Sequence, residues 1–268
     1  MKRIILSALV FLTGTTLLQA QLKSAPKKVL ELKMPKTAGD DMPGTRGASV
    51  VWHPVQKKYY AVMAGNAEYP LAVFDVAGKR LSGDDLKAMN DSRGLWYNPD
   101  AKEIQGNGYA ETGWYKYILD YKGIPESSSI TIEGSHQPTE QCVGTFNPVR
   151  KEVMFLKENI VSLYSPNGVL SPEYIEINLG KKKAEDDPGI SEEYNNTTVI
   201  YTGMKNAELG FLNVEKKQVE LYDLVSGFLM QKIKLPEDVP AEYSFNFSYA
   251  NGIYWLFDIK ARTWYGYR

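Results

Sequence analysis

Short apolar runs separated by polar turns fill the chain from about Lys28 to its end. Several alternate strictly. In Tyr174-Ile175-Glu176-Ile177-Asn178-Leu179 and Met230-Gln231-Lys232-Ile233-Lys234-Leu235 every second residue is apolar, which predicts strands with one covered face. Three runs end alike, at Trp52-His53-Pro54, Tyr97-Asn98-Pro99 and Phe146-Asn147-Pro148, so the prolines recur at intervals of 45 and 49 residues. A polar turn containing lysine follows each proline, and a second apolar run follows the turn: a strand, a tight turn and a returning strand. Each unit then has a third run ending before a glycine: Leu71 to Asp75 before Gly78, Tyr117 to Asp120 before Gly123, Ile160 to Tyr164 before Gly168, and Val219 to Asp223 before Gly227. Such turns reverse the chain into a fourth strand.

A fourth copy runs from Thr197 through Leu235. A fifth starts at Phe245-Asn246-Phe247-Ser248-Tyr249 and stops after Thr263-Trp264-Tyr265-Gly266-Tyr267, one strand short. The missing strand has its match at the other end, where Val29-Leu30-Glu31-Leu32-Lys33-Met34-Pro35 repeats the pattern and closing proline of Lys232-Ile233-Lys234-Leu235-Pro236. Four-stranded units of about 40–55 residues, permuted by one strand, predict an all-β, five-bladed β-propeller. Its N-terminal strand completes the C-terminal blade and leaves no long free edge. On these residues the chain resembles secreted bacterial β-propeller proteins with degenerate repeats. The Trp-Asp motif and the glycine-rich motif of two large propeller families are absent, so the resemblance implies an architecture and no subfamily. Two small β-sandwiches would also supply short strands, but they leave the match between the termini without a reason.

The segment before the first unit has a different character. Met1-Lys2-Arg3 is a short basic stretch, Ile4 to Leu18 is apolar, and Leu18-Gln19-Ala20 ends in a small residue, the pattern of a cleaved signal peptide. Thr13 to Thr16 dilute the apolar run below the length of a membrane anchor. The expected organisation is a signal peptide at 1–20 and a single propeller domain at 21–268, exported to the periplasm or the extracellular space. No membrane insertion is expected after cleavage, and no lipid attachment, because Gln21 and Leu22 follow Ala20. With 43% hydrophobic and 24% charged residues the chain can fill a core, and a formal charge of −1 argues against a nucleic-acid partner. The single cysteine, Cys142, cannot form an internal disulfide, so it reads as a small buried hydrophobe.

Propeller topology assigns the connections to two faces. Those between first and second and between third and fourth strands share one face and read as tight turns, leaving little room for a site. The opposite face carries the long loops between blades, at 36–47, 82–94, 134–143, 180–196 and 237–243, together with the connections 64–70 and 106–114. Long polar loops on a rigid scaffold are where binding residues concentrate. Arg46 and Arg93 precede equivalent inner strands there and are expected to point toward the channel mouth, where guanidinium groups suit carboxylate, sulfate or phosphate. Pairing with a loop carboxylate is the alternative. Glu68 and Glu111 occupy related corners, and facing carboxylates suit acid–base chemistry or a metal. The pairs Asp40-Asp41, Asp84-Asp85 and Asp186-Asp187 offer hard oxygens for calcium, without the alternating spacing of a loop that wraps one ion. No cofactor is expected. Tyr69, Tyr109, Trp114, Tyr194 and Tyr243 fall in or beside these loops, where rings stack on sugars or cover an apolar ligand. Trp52, Trp96, Phe146, Tyr201, Phe247 and Trp255 read as packing between blades.

No G-x-S-x-G elbow, H-E-x-x-H helix or phosphate loop occurs, and the only histidines are His53 and His136. The expected function is therefore non-catalytic: binding of a protein, a small molecule or a glycan through the loop face. The alternative is a glycan-active hydrolase with carboxylates at the channel mouth. Five-bladed glycosidases usually carry an early inner-strand aspartate, and Ala48-Ser49-Val50-Val51-Trp52 has none.

Overall fold

The computed structural model describes residues 21–23, 25–39, 46–179 and 193–268. The expected signal segment, 1–20, lies outside them. Among the described residues, twenty strands build five sheets around a common axis, antiparallel throughout except where the first strand joins. Blade 1 contains β3 (Arg46–His53), β4 (Lys58–Ala64) and β5 (Leu71–Phe74). In blade 2 the strands are β6 (Ser92–Asn98), β7 (Glu103–Gly108), β8 (Trp114–Leu119) and β9 (Pro125–Ile132). Blade 3 comprises β10 (Thr145–Asn147), β11 (Glu152–Lys157), β12 (Ile160–Tyr164) and β13 (Leu170–Glu176). Blade 4 follows with β14 (Ile200–Tyr201), β15 (Leu209–Asn213), β16 (Gln218–Tyr222) and β17 (Leu229–Lys234). Blade 5 has β18 (Phe247–Ala250), β19 (Ile253–Asp258) and β20 (Thr263–Tyr267), completed by β2 (Lys28–Lys33).

The ring closes as the termini predict. β2 runs antiparallel to β20, with Leu32 opposite Trp264 and Glu31 opposite Tyr265. Lys27 and Arg268 exchange backbone hydrogen bonds of 2.9 and 3.0 Å beyond the strand ends. Five buried clusters correspond to the five interfaces between neighbouring blades. β4 shows why both faces of a blade must be apolar: Tyr59, Ala61 and Met63 pack toward blade 5, and Tyr60, Val62 and Ala64 pack toward blade 2. Strands covered on both sides read as continuous hydrophobic runs, and alternation survives in outer strands such as β2, whose second face meets water.

Three features depart from the sequence pattern. The fourth strand of blade 1 is reduced to isolated bridges, Phe74 with Arg80 and Pro70 with Lys87. Only Lys79-Arg80-Leu81 separate the Gly78 turn from the loop at 82–94, too few residues for a regular outer strand. The backbone at Gln21–Lys23 forms β1, which pairs in parallel with β17 and extends blade 4 to five strands. On the turn face the connection at 202–208 is longer than the other first turns, stitched by Thr202 Oγ1 donating to the Ala207 carbonyl at 2.7 Å.

The short turns themselves are built by side-chain acceptors. Asn98 Oδ1 accepts from the amides of Asp100 and Ala101, and Asn147 Oδ1 from those of Val149 and Arg150. Prolines at the next position fix the backbone for the turn. In blade 1, His53 takes the asparagine's place. Its Nδ1 accepts from the Gln56 amide at 3.3 Å.

Candidate functional site

On the loop face, Arg93 lies at the start of β6 and is only 4% exposed. Its guanidinium donates to Asp91 Oδ1 at 2.5 Å, to Gln141 Oε1 at 2.9 Å and to the Ser92 carbonyl at 3.0 Å. It also stacks over the Tyr109 ring at 4.7 Å. Its charge is thus compensated by its own loop. Tyr109 donates its hydroxyl to Glu140 Oε2 at 2.7 Å, and that carboxylate pushes the phenol pKa up.

Arg46, at the equivalent place in β3, is different. It is exposed and donates to the Ser244 hydroxyl at 3.0 Å, and it has no ion pair among the described residues. Phe245 lies between the two arginines, 6.0 Å from the Arg46 guanidinium and 5.6 Å from that of Arg93. Its φ is +51° and that of Asn246 is +57°, an uncommon left-handed pair for residues other than glycine. The conformation is held from both sides. Phe245 N donates to Thr197 Oγ1 at 2.7 Å, and Asn246 Oδ1 accepts from Gly47 N at 2.8 Å. Arg46, Phe245, Gln141, Thr197, Lys157 and Glu158 help line a cavity of about 620 Å³ at this mouth. Lys157, like Arg46, has no ion pair among the described residues. Phe245 and Lys157 are the residues that sequence reasoning missed. Phe245 opens the alternating run Phe245 to Tyr249 and so reads as an inner-strand residue, and Lys157 ends a middle strand, so neither is marked as a residue of the mouth.

The remaining candidates scatter. Glu68 is ion-paired with Lys87. Glu111 is exposed on a 3-10 turn, Ala110–Thr112. Neither lines the mouth cavity. Asp84 pairs with Arg80, whereas Asp40-Asp41 and Asp186-Asp187 lie outside the described residues. Among the described residues, no group of three His, Cys, Asp or Glu side chains is placed to hold a metal ion.

Three of the loop aromatics are packing residues in the structure. Tyr69 is 7% exposed in the cluster between blades 5 and 1. Trp114 is 2% exposed and meets Trp96, Phe155 and Tyr164 at ring separations of 5.4, 5.9 and 6.3 Å. Tyr194 is buried and donates to Glu220 Oε2 at 2.7 Å, an oxygen that also accepts from Tyr222 at 2.9 Å. Burial pushes both phenols up. A loop position therefore does not guarantee a free ring, because the loops fold back over the blade interfaces. Cys142 is buried, its thiol donating to the Leu156 carbonyl at 3.0 Å and its pKa raised by burial. Asn195 and Asn246 are buried and hydrogen-bonded through their side chains.

The channel between the five inner strands also holds a cavity, of about 390 Å³, which reaches the turn face. Short turns were expected to leave little room for a site. They instead leave the channel end uncovered: Pro54, Pro148, Gly203 and Gly252 stand at its rim.

No family model matches the chain, and no curated protein matches it. Among solved structures, the glutaminyl cyclase of Myxococcus xanthus superposes with a TM-score of 0.59 at 10% sequence identity, covering 93% of this chain and 98% of that one. A catalytically inactive virginiamycin B lyase from Staphylococcus aureus, with quinupristin, gives 0.43 at 14% identity over 85% of this chain and 67% of that one. The nidogen/laminin complex gives 0.44 at 11% identity over 81% and 74%. At these identities the likeness extends to the fold alone.

Proposed function

We propose that this protein is an exported, non-catalytic binding propeller whose loop-face mouth takes a small anion of the carboxylate, sulfate or phosphate class. One observation carries the reading. Of two arginines at equivalent inner-strand starts, Arg93 is neutralised by Asp91, whereas Arg46 has no ion pair among the described residues and donates there to a hydroxyl. Among the described residues, Arg46 shares its cavity with Lys157 and one carboxylate, Glu158. Two cations against one acid, with the Gln141 amide and the Thr197 hydroxyl nearby, favour a bound anion over a bound cation. The hydrolase alternative draws no support from Glu68 and Glu111, which stand outside that cavity.

A thermal-shift screen across dicarboxylates, sulfate, phosphate, neutral glycans and calcium tests the reading. An anion at 100 times its Kd adds about 2.7 kcal/mol to stability, which raises the melting temperature of a domain of this size by roughly 5–10 °C. Stabilisation by calcium, with none by any anion, contradicts it.

A further inference from the structure

The turn-face end of the channel carries a five-fold feature. Trp52, Tyr97, Phe146, Tyr201 and Tyr249 stand one on each inner strand, at the same register. They pair with Tyr59, Ile104, Val153, Leu209 and Tyr254 of the second strands, in each case one step before the turn. Each belongs to or packs against a different one of the five inter-blade clusters, and all five line the 390 Å³ cavity. Packing between blades accounts for one side of each ring. It does not account for the other: four of the five stay half-buried, Phe146 being the exception at 7% exposed.

The chemistry of this end contrasts with that of the loop face. Among the described residues, no aspartate, glutamate, lysine, arginine or histidine lines it, so a charged ligand would lose its hydration without a partner. Hydroxyl groups are plentiful. Those of Tyr97, Tyr201, Tyr249 and Thr145 make no hydrogen bond to any described residue. Flat rings beside unused hydroxyls, with no charge, match a ligand having an apolar face and a hydroxyl-bearing edge. The volume falls within the range of small-ligand sites, about 300–1,000 Å³.

We propose that this aromatic collar is a second binding site, one that takes an uncharged pyranose ring at the turn-face end of the channel. The sugar's C–H face stacks on the collar rings, and its hydroxyls exchange hydrogen bonds with the tyrosines and Thr145. The site is independent of the anion reading, since it lies at the other end of the channel and uses none of the same residues.

Trp52 supplies a direct probe. It is half-buried, whereas Trp96, Trp114, Trp255 and Trp264 are each at most 3% exposed, so acrylamide quenching of the protein's fluorescence reports mainly on the collar. Cellobiose and maltose are expected to lower the quenching constant by about two-fold in the wild type, as stacking over the indole would. Tyr201→Ala is expected to abolish that protection, Tyr201→Phe to weaken it, and Tyr121→Ala, on an outer turn, to leave it intact. Should Tyr201→Ala fail to fold, Tyr249→Ala takes its place. The proposal is overturned if neither sugar protects Trp52, if benzyl alcohol protects it and the sugars do not, or if protection survives in both alanine variants.

Discussion

His53 holds its turn as a hydrogen-bond acceptor, a role open to imidazole only while Nδ1 is unprotonated. Burial, which leaves the residue 4% exposed, lowers its pKa below the ordinary 6.5, and nearby Lys58 pushes the same way. The sign follows from linkage. The unfolded chain takes up the proton first, so this contribution is complete above pH 6.5 and is lost as pH falls through the lower folded value. Asn98 and Asn147 do the same work in blades 2 and 3 without titrating. His53→Asn is therefore expected to lose less stability than the wild type between about pH 7.5 and 5.5, read as urea midpoints; equal losses would remove His53 from the account. Gly94 is constrained by contact. A Cβ there would lie 2.5 Å from Gly144 N and 2.6 Å from its carbonyl oxygen, both backbone atoms that no rotamer change can move. Gly94→Ala is expected to cost about 3 kcal/mol, the upper end of overpacking, as measured by urea unfolding.

The two N-terminal strands differ in how they can be read and in what they hold. β2 was legible because its alternation and closing proline repeat those of β17, and because blade 5 visibly lacked a strand. β1 was not: three residues of backbone pairing leave no periodic trace. The first blade's fourth strand failed for the converse reason, since position in the repeat suggested a strand after Gly78, where only Lys79, Arg80 and Leu81 precede the loop at 82–94. Leu32 is fully buried against blade 1, and Val29 is 49% exposed. Leu32→Ala should cost about 3 kcal/mol, within the usual range for a core leucine, and Val29→Ala less than about 0.5 kcal/mol. Comparable losses at the two positions would mean that β2 does not lie as described.

Seen whole, the ring places the proposed anion site where it closes. Arg46 belongs to blade 1, and Ser244 and Phe245 lead into blade 5. The seam between them is sewn by Gly47 to Asn246 and by Val50 N donating to Ser248 Oγ at 3.1 Å. Arginines at the starts of inner strands were readable from the repeat alone. Their unequal pairing was not, because it depends on which loop carboxylate folds back, and Asp91 is two residues from Arg93. The collar stayed hidden for a related reason. Trp52, Phe146 and Tyr201 read as packing residues and Tyr97 and Tyr249 only as strand residues, and the register common to all five emerges only when five blades are set around one axis. The anion site is most directly tested by calorimetric titration of a dicarboxylate such as succinate into the wild type and into Arg46→Ala. The account predicts that the variant keeps its unfolding midpoint and that its Kd rises about ten-fold or more, as loss of a charge-assisted bond worth about 1.5–3 kcal/mol requires. Equal affinity in the two proteins would contradict it.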